Sequence, residues 1–116
     1  MEKCITDKHE KIRNKLIDSA VYGEQVRQAG KIFSLLGDES RMKILLALIE
    51  GELCVYHICD ITGNKQSATS QHLRKLKDGK IVKSRKVGNQ VLYSLDDDHI
   101  VTILKTALAH IEHEKE

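Results

Sequence analysis

Residues 54–95, CVYHICDITGNKQSATSQHLRKLKDGKIVKSRKVGNQVLYSL, decide the fold. Cys54, Val55, Ile58 and Ile61 recur near helical spacing and predict a short helix over about 54–62. Gly63–Asn64 reads as a turn, and a second helix follows over about 66–78 with Ala68, Leu73 and Leu76 facing inward. A short helix, a glycine turn and a polar-surfaced helix form a helix-turn-helix pattern. The period then changes. Residues 81–87 and 90–95 are β-branched and alternating, and Gly88–Asn89 between them suits a hairpin turn.

Outward from this stretch the chain is helical. Ile12, Leu16, Ile17 and Ala20 predict a helix over 12–22, and Val26, Ala29, Ile32, Phe33, Leu35 and Leu36 another over 24–36. Gly37 ends it, and Asp38 or Ser40 can cap the apolar helix over 39–50. On the C-terminal side, Ile100, Ile103, Leu104, Ala107, Leu108 and Ile111 form the stripe of a helix over about 97–113, opened by acids that suit its dipole. The expected fold is mainly α, a winged helix-turn-helix with a two-stranded β-hairpin wing and dimerisation helices at both ends. Residues 1–10 are expected to be a flexible tail and 11–116 a single domain, with the helix-turn-helix at about 54–78, the wing at about 81–95 and the last helix at about 97–114.

Charge points to nucleic acid. The net charge of +2 over 116 residues hides an asymmetry. From Lys65 to Lys86 there are eight bases and one acid, whereas from Asp96 to Glu116 there are six acids and two bases. A basic helix beside a basic hairpin is what phosphate neutralisation requires. Gln66, Ser67, Thr69, Ser70, Gln71 and His72 have side chains suited to base edges in a major groove, with Arg74 and Lys75 beside them. Lys83, Arg85 and Lys86 would hold the backbone or reach the minor groove. One recognition helix reads few base pairs, so a homodimer on palindromic double-stranded DNA is expected. Aromatics at 3% argue against base stacking on a sheet.

Other classes fall away. No apolar run approaches the roughly 18 residues of a membrane span, so no membrane partner is expected. The N-terminus lacks an apolar signal core, and three cysteines do not make a disulfide scaffold, so the expected compartment is the cytoplasm. There is no glycine-rich phosphate loop and no convincing nucleophile–base pair, so neither an enzyme nor a small-molecule substrate is expected.

The last helix carries Asp97, His99, His110 and His113. His110 and His113 share one face, but His99 and His110 are roughly 16 Å apart along the axis, too far for one zinc. If two copies of the helix pack antiparallel, Asp97 and His99 of one meet His110 and His113 of the other. Two equivalent sites then form, each with one carboxylate and three imidazoles, a set suited to tetrahedral Zn(II). A solvated polar helix is the plain alternative.

The segments LGDESRMKILLAL (36–48), ELCVYHICDITG (52–63), QSATSQHLRKLKDGKIV (66–82) and GNQVLYSLDDDHI (88–100) resemble the ArsR/SmtB family of metal-responsive winged-helix repressors over about residues 22–114. The spacing 97-99-110-113 resembles the zinc site of its zinc- and cobalt-sensing branch. The resemblance implies a dimeric apo-repressor that leaves its operator when Zn(II), or Co(II), binds. The box around Cys54 and Cys59 also resembles thiolate sites of arsenic, cadmium and lead sensors, although Tyr56 stands where a further Cys is expected. A related arrangement would use Cys54 and His57 with Cys4 and His9. The alternative inducer is therefore a soft metal or thiol chemistry at Cys54 and its neighbours.

Overall fold

The computed structural model describes residues 6–115, with side chains as far as residue 112. The elements are α1 (Asp7–Arg13), a π-helical turn (Asn14–Asp18), α2 (Ala20–Leu36), α3 (Glu39–Ile49), β1 (Leu53–Cys54), α4 (Val55–Thr62), α5 (Gln66–Asp78), β2 (Val82–Val87), β3 (Gln90–Leu95) and α6 (Asp98–Lys115). The chain divides into two units, residues 1–34 and 35–116.

In the first unit the polar segment expected to be a tail from 1 to 10 is helical from Asp7. Thr6 caps it, its hydroxyl accepting the His9 N–H at 3.2 Å. The helix expected to run from 12 to 22 is interrupted. Ser19 is extended and caps α2 instead, its hydroxyl accepting the Tyr22 N–H at 3.2 Å. Ile17, Val21, Val26 and Phe33 are all more than half exposed, at 74%, 73%, 53% and 60%.

The second unit holds the core. Ile44, Leu45 and Leu48 of α3 are buried together with Ile58 of α4, Leu73 and Leu76 of α5, Ile81, Val82 and Leu95 at the wing's root, and Ile100 and Leu104 of α6. Asp38 accepts the Arg41 N–H at 2.9 Å and so caps α3, while Arg41 Nε donates to the Leu35 carbonyl at 2.8 Å and closes the turn. Between α4 and α5, Gly63 adopts φ 77, a left-handed cap that a side chain would strain. Its N–H donates to the Cys59 carbonyl at 2.8 Å.

The sheet has three antiparallel strands in the order β1-β3-β2. The hairpin pairs Val82 with Leu95 through to Val87 with Gln90, across the Gly88–Asn89 turn. The two residues of β1 add a strand that the sequence pattern did not indicate, pairing Leu53 with Tyr93 and Cys54 with Leu92. Cys54 is therefore the last strand residue and the N-cap of α4, not a residue inside that helix.

Candidate DNA-binding surface and metal ligands

The buried residues of α5 recur as Thr69, Leu73 and Leu76, one inward stripe at helical spacing. The opposite face carries exposed Gln66, Ser67, Ser70, Gln71, Arg74 and Lys75. This phase corrects the reading of Thr69 as a base contact. Its side chain is fully buried, and its hydroxyl finds no hydrogen-bond partner among the described residues. His72 is half-buried, and its ring nitrogen Nδ1 is buried without a hydrogen bond. Its charge, with the Arg41 backbone N–H as the larger cause, helps to hold the Asp38 carboxyl below its ordinary value. Six of the eight helix residues singled out for DNA remain on the outer face.

In the wing, Lys83, Arg85 and Lys86 are exposed. Arg85 is held by Glu52, with Nε donating to Oε2 and Nη2 to Oε1, both at 2.7 Å. These hydrogen bonds hold the Glu52 carboxyl below its usual range and raise the guanidinium. The sequence reading did not include Glu52. Its partner lies 33 residues away, across a sheet completed by an unanticipated strand.

Asp97 caps α6. Its Oδ1 accepts the backbone N–H groups of His99 at 2.9 Å and Ile100 at 3.2 Å. Its Oδ2 lies 3.5 Å from His99 Nδ1. The bond from Ile100, against some opposing desolvation and with help from His99, keeps this carboxyl below the ordinary aspartate range. His110 is exposed on the same helix, three turns on, and His113 lies one turn further, its side chain outside the described residues. At the other candidate site Cys54 is buried, Cys59 half-buried and His57 exposed. Cys54 and Cys59 are free thiols. His9 is on α1, and Cys4 lies outside the described residues. Among the described residues of one chain, no three His, Cys, Asp or Glu side chains come together to hold a metal.

Comparison with known proteins agrees with the fold. Residues 38–84, from the cap of α3 into β2, match the model of the bacterial regulatory proteins of the arsR family. A cadmium resistance transcriptional regulatory protein CadC homolog from Staphylococcus aureus is 43% identical over 81 residues, 69% of this chain and 67% of that protein. The chain belongs to the ArsR family. A transcriptional repressor SmtB homolog from Synechocystis is 36% identical over 77% of this chain and 67% of its own length. Among solved structures, NolR from Sinorhizobium fredii superimposes with a TM-score of 0.72 at 32% identity, covering 80% of this chain and 92% of NolR. This ArsR-family chain is thus a winged-helix, DNA-binding transcriptional repressor of the metal-responsive ArsR/SmtB class, and not an enzyme. No helix among its described residues is long and apolar enough to cross a membrane.

The donor set at the ends of α6 fits a divalent metal in kind. The cap uses Oδ1 of Asp97 and leaves Oδ2, next to an imidazole nitrogen, as an anionic donor. Among the described residues, one copy of the helix provides no complete donor set.

Proposed function

We propose that this repressor binds its operator as an apo homodimer and is released by Zn(II) or Co(II) bound to sites shared between two copies of α6. The observation that carries this reading is the pairing of Asp97 with His99 at the start of the same helix that bears His110 and His113. In an antiparallel pair of helices, Asp97 and His99 of one copy and His110 and His113 of the other would hold each ion. A tetrahedral ion supplies a fixed cross-link between the two helices. Asp97 would contribute its charge from a position fixed by its capping bonds, and the histidines would bind as neutral imidazoles, so affinity falls as they protonate.

Dimerisation is supported by the apolar side chains that α2 and α6 leave exposed, Val21 and Phe33 on one and Leu108 and Ile111 on the other. A winged helix-turn-helix domain from Mycobacterium bovis described as homodimeric has the same fold, with a TM-score of 0.79 at 23% identity. DNA would be read by Gln66, Ser67, Ser70 and Gln71, with Arg74, Lys75, Lys83, Arg85 and Lys86 on phosphates. If metal and operator prefer different spacings of the recognition helices, each weakens the other by the same factor. Such a regulator acts where the DNA is, in the cytoplasm.

A second reading keeps the repressor and changes the inducer. Cys54 and His57 lie within one turn at the start of α4, and the Staphylococcus aureus relative is named for cadmium resistance. A soft metal at Cys54, His57 and Cys59, with Cys4 and His9, is the corresponding site. The burial of Cys54, at 4% exposed, favours the α6 site.

Titration of the reduced protein with Co(II), followed by optical absorption, separates the two. Intense ligand-field bands without sulfur charge transfer, saturating at one metal per chain and lost in His110→Ala, support the α6 site. A strong sulfur-to-cobalt band overturns it in favour of Cys54.

A further inference from the structure

Arg85 and Glu52 reach towards each other across β3, the central strand of the sheet. Their contact is side-on and bidentate, so it fixes the guanidinium plane as well as its position. It occupies Nε and one hydrogen of Nη2, and among the described residues Nη1 and the other Nη2 hydrogen have no partner. The Arg85 side chain is 62% exposed, on an arm that is itself surrounded by solvent. Lys83, two residues earlier on the same face of β2, also acts on the Glu52 carboxylate.

An acid beside the wing's basic residues should weaken their attraction for DNA, unless it does something else there. A free arginine on a wing loses rotamer freedom when it grips a phosphate. An arginine already held by a carboxylate has lost that freedom before binding, and still presents an open edge of donors. We infer that Glu52 is a positioning residue for DNA: it holds Arg85 in the rotamer that meets a backbone phosphate, and stays bound when the phosphate arrives. This rests on the proposed reading that the wing meets DNA.

Simple electrostatics and positioning give opposite signs, which makes the test sharp. The full-length protein, Glu52→Gln, Arg85→Ala and the double variant are titrated onto a labelled duplex of mixed sequence, about three helical turns long, at several salt concentrations. Glu52→Gln is expected to weaken binding roughly three- to ten-fold despite removing a negative charge. Its salt dependence is expected to match the wild type, because Arg85 still neutralises a phosphate. Arg85→Ala is expected to weaken binding and reduce the salt slope by about 0.9. In the Arg85→Ala background, Glu52→Gln is expected to cause no further loss. Equal or tighter binding by Glu52→Gln, with Arg85→Ala weakened, overturns the inference alone. So does an equal loss from Glu52→Gln with and without Arg85, which would mean that the acid acts through its loop. Wild-type affinity in Arg85→Ala overturns the wing reading itself, and the inference with it.

Discussion

The carboxylate of Asp97 holds His99 at two points: Oδ1 accepts its backbone N–H at 2.9 Å, and Oδ2 lies 3.5 Å from its ring Nδ1. One residue thus ends the loop, starts α6 and orients a candidate metal ligand. The two roles can be separated chemically. Asparagine caps a helix about as well as aspartate but offers a metal no charge. Asp97→Asn should therefore melt within about 2 °C of the wild type while losing more than about a hundred-fold in cobalt affinity. Asp97→Ala should lose both cap and affinity. Wild-type cobalt binding by Asp97→Asn would remove Asp97 from the ligand set.

Thr69 and Gln71 stand two positions apart on α5 and face opposite ways. Thr69→Val keeps the side chain's shape and deletes a buried hydroxyl that has no hydrogen-bond partner among the described residues. It should raise stability by about 1 kcal/mol in a urea melt and leave DNA affinity within about two-fold. Gln71→Ala should leave stability within about 0.5 kcal/mol and weaken operator binding by about 1–3 kcal/mol. A large loss of DNA binding in Thr69→Val would restore Thr69 to the reading face.

The difference between these two residues shows how legible the chain was. Ile44, Leu45 and Leu48 mark α3 by density alone, and Gly63 and Gly88 mark their turns because each sits at positive φ. The hairpin is legible because alternation is a period that no helix mimics. Thr69 was misplaced because it was grouped by polarity with its neighbours, when its phase with Leu73 and Leu76 already put it inside. α1 was missed because DKHEKIR has no apolar stripe, and only the Thr6 cap and its charges mark the start. β1 is two residues long, too short for any period, so the approach of Glu52 to Arg85 was not legible either. The spacing of Asp97, His99, His110 and His113 was visible in the sequence, whereas the cap that Asp97 makes at the start of α6 was not read from it.

Lys80 is the one residue other than glycine at positive φ among the described residues, at φ 60. It follows Gly79 where α5 ends, and the Ile81 N–H donates back to the Leu76 carbonyl at 2.9 Å. That bond reverses the chain towards β2 and needs a left-handed residue, which costs an L side chain about 1 kcal/mol. Lys80→Gly should relieve this strain and raise stability by about 0.5 kcal/mol after the entropy cost of glycine. Gly63→Ala, at φ 77, should lower it by about 1 kcal/mol. Urea denaturation of both variants measures the pair, and a stabilised Gly63→Ala would contradict the cap geometry.

The helix caps also set the response to acid. Asp38 lies below its ordinary value because it accepts the Arg41 N–H, and Asp97 because it accepts that of Ile100. Glu24 is brought to about 2 by its side-chain bonds to Arg27 and Gln28. In each case the unfolded chain binds the proton more tightly, so the stabilisation is fully present above the unfolded value. It is lost as pH falls from there through the folded value. Stability at constant ionic strength should therefore fall below about pH 4.5 with a slope set by these carboxylates. Asp38→Asn keeps a capping side chain and removes one titrating group, so its stability should decline less steeply between about pH 4 and pH 2. High salt should flatten the Glu24 contribution, which comes from a solvent-exposed ion pair. Chemical melts of the wild type and Asp38→Asn across that range decide the matter: parallel curves would mean that Asp38 does not cap α3 in solution.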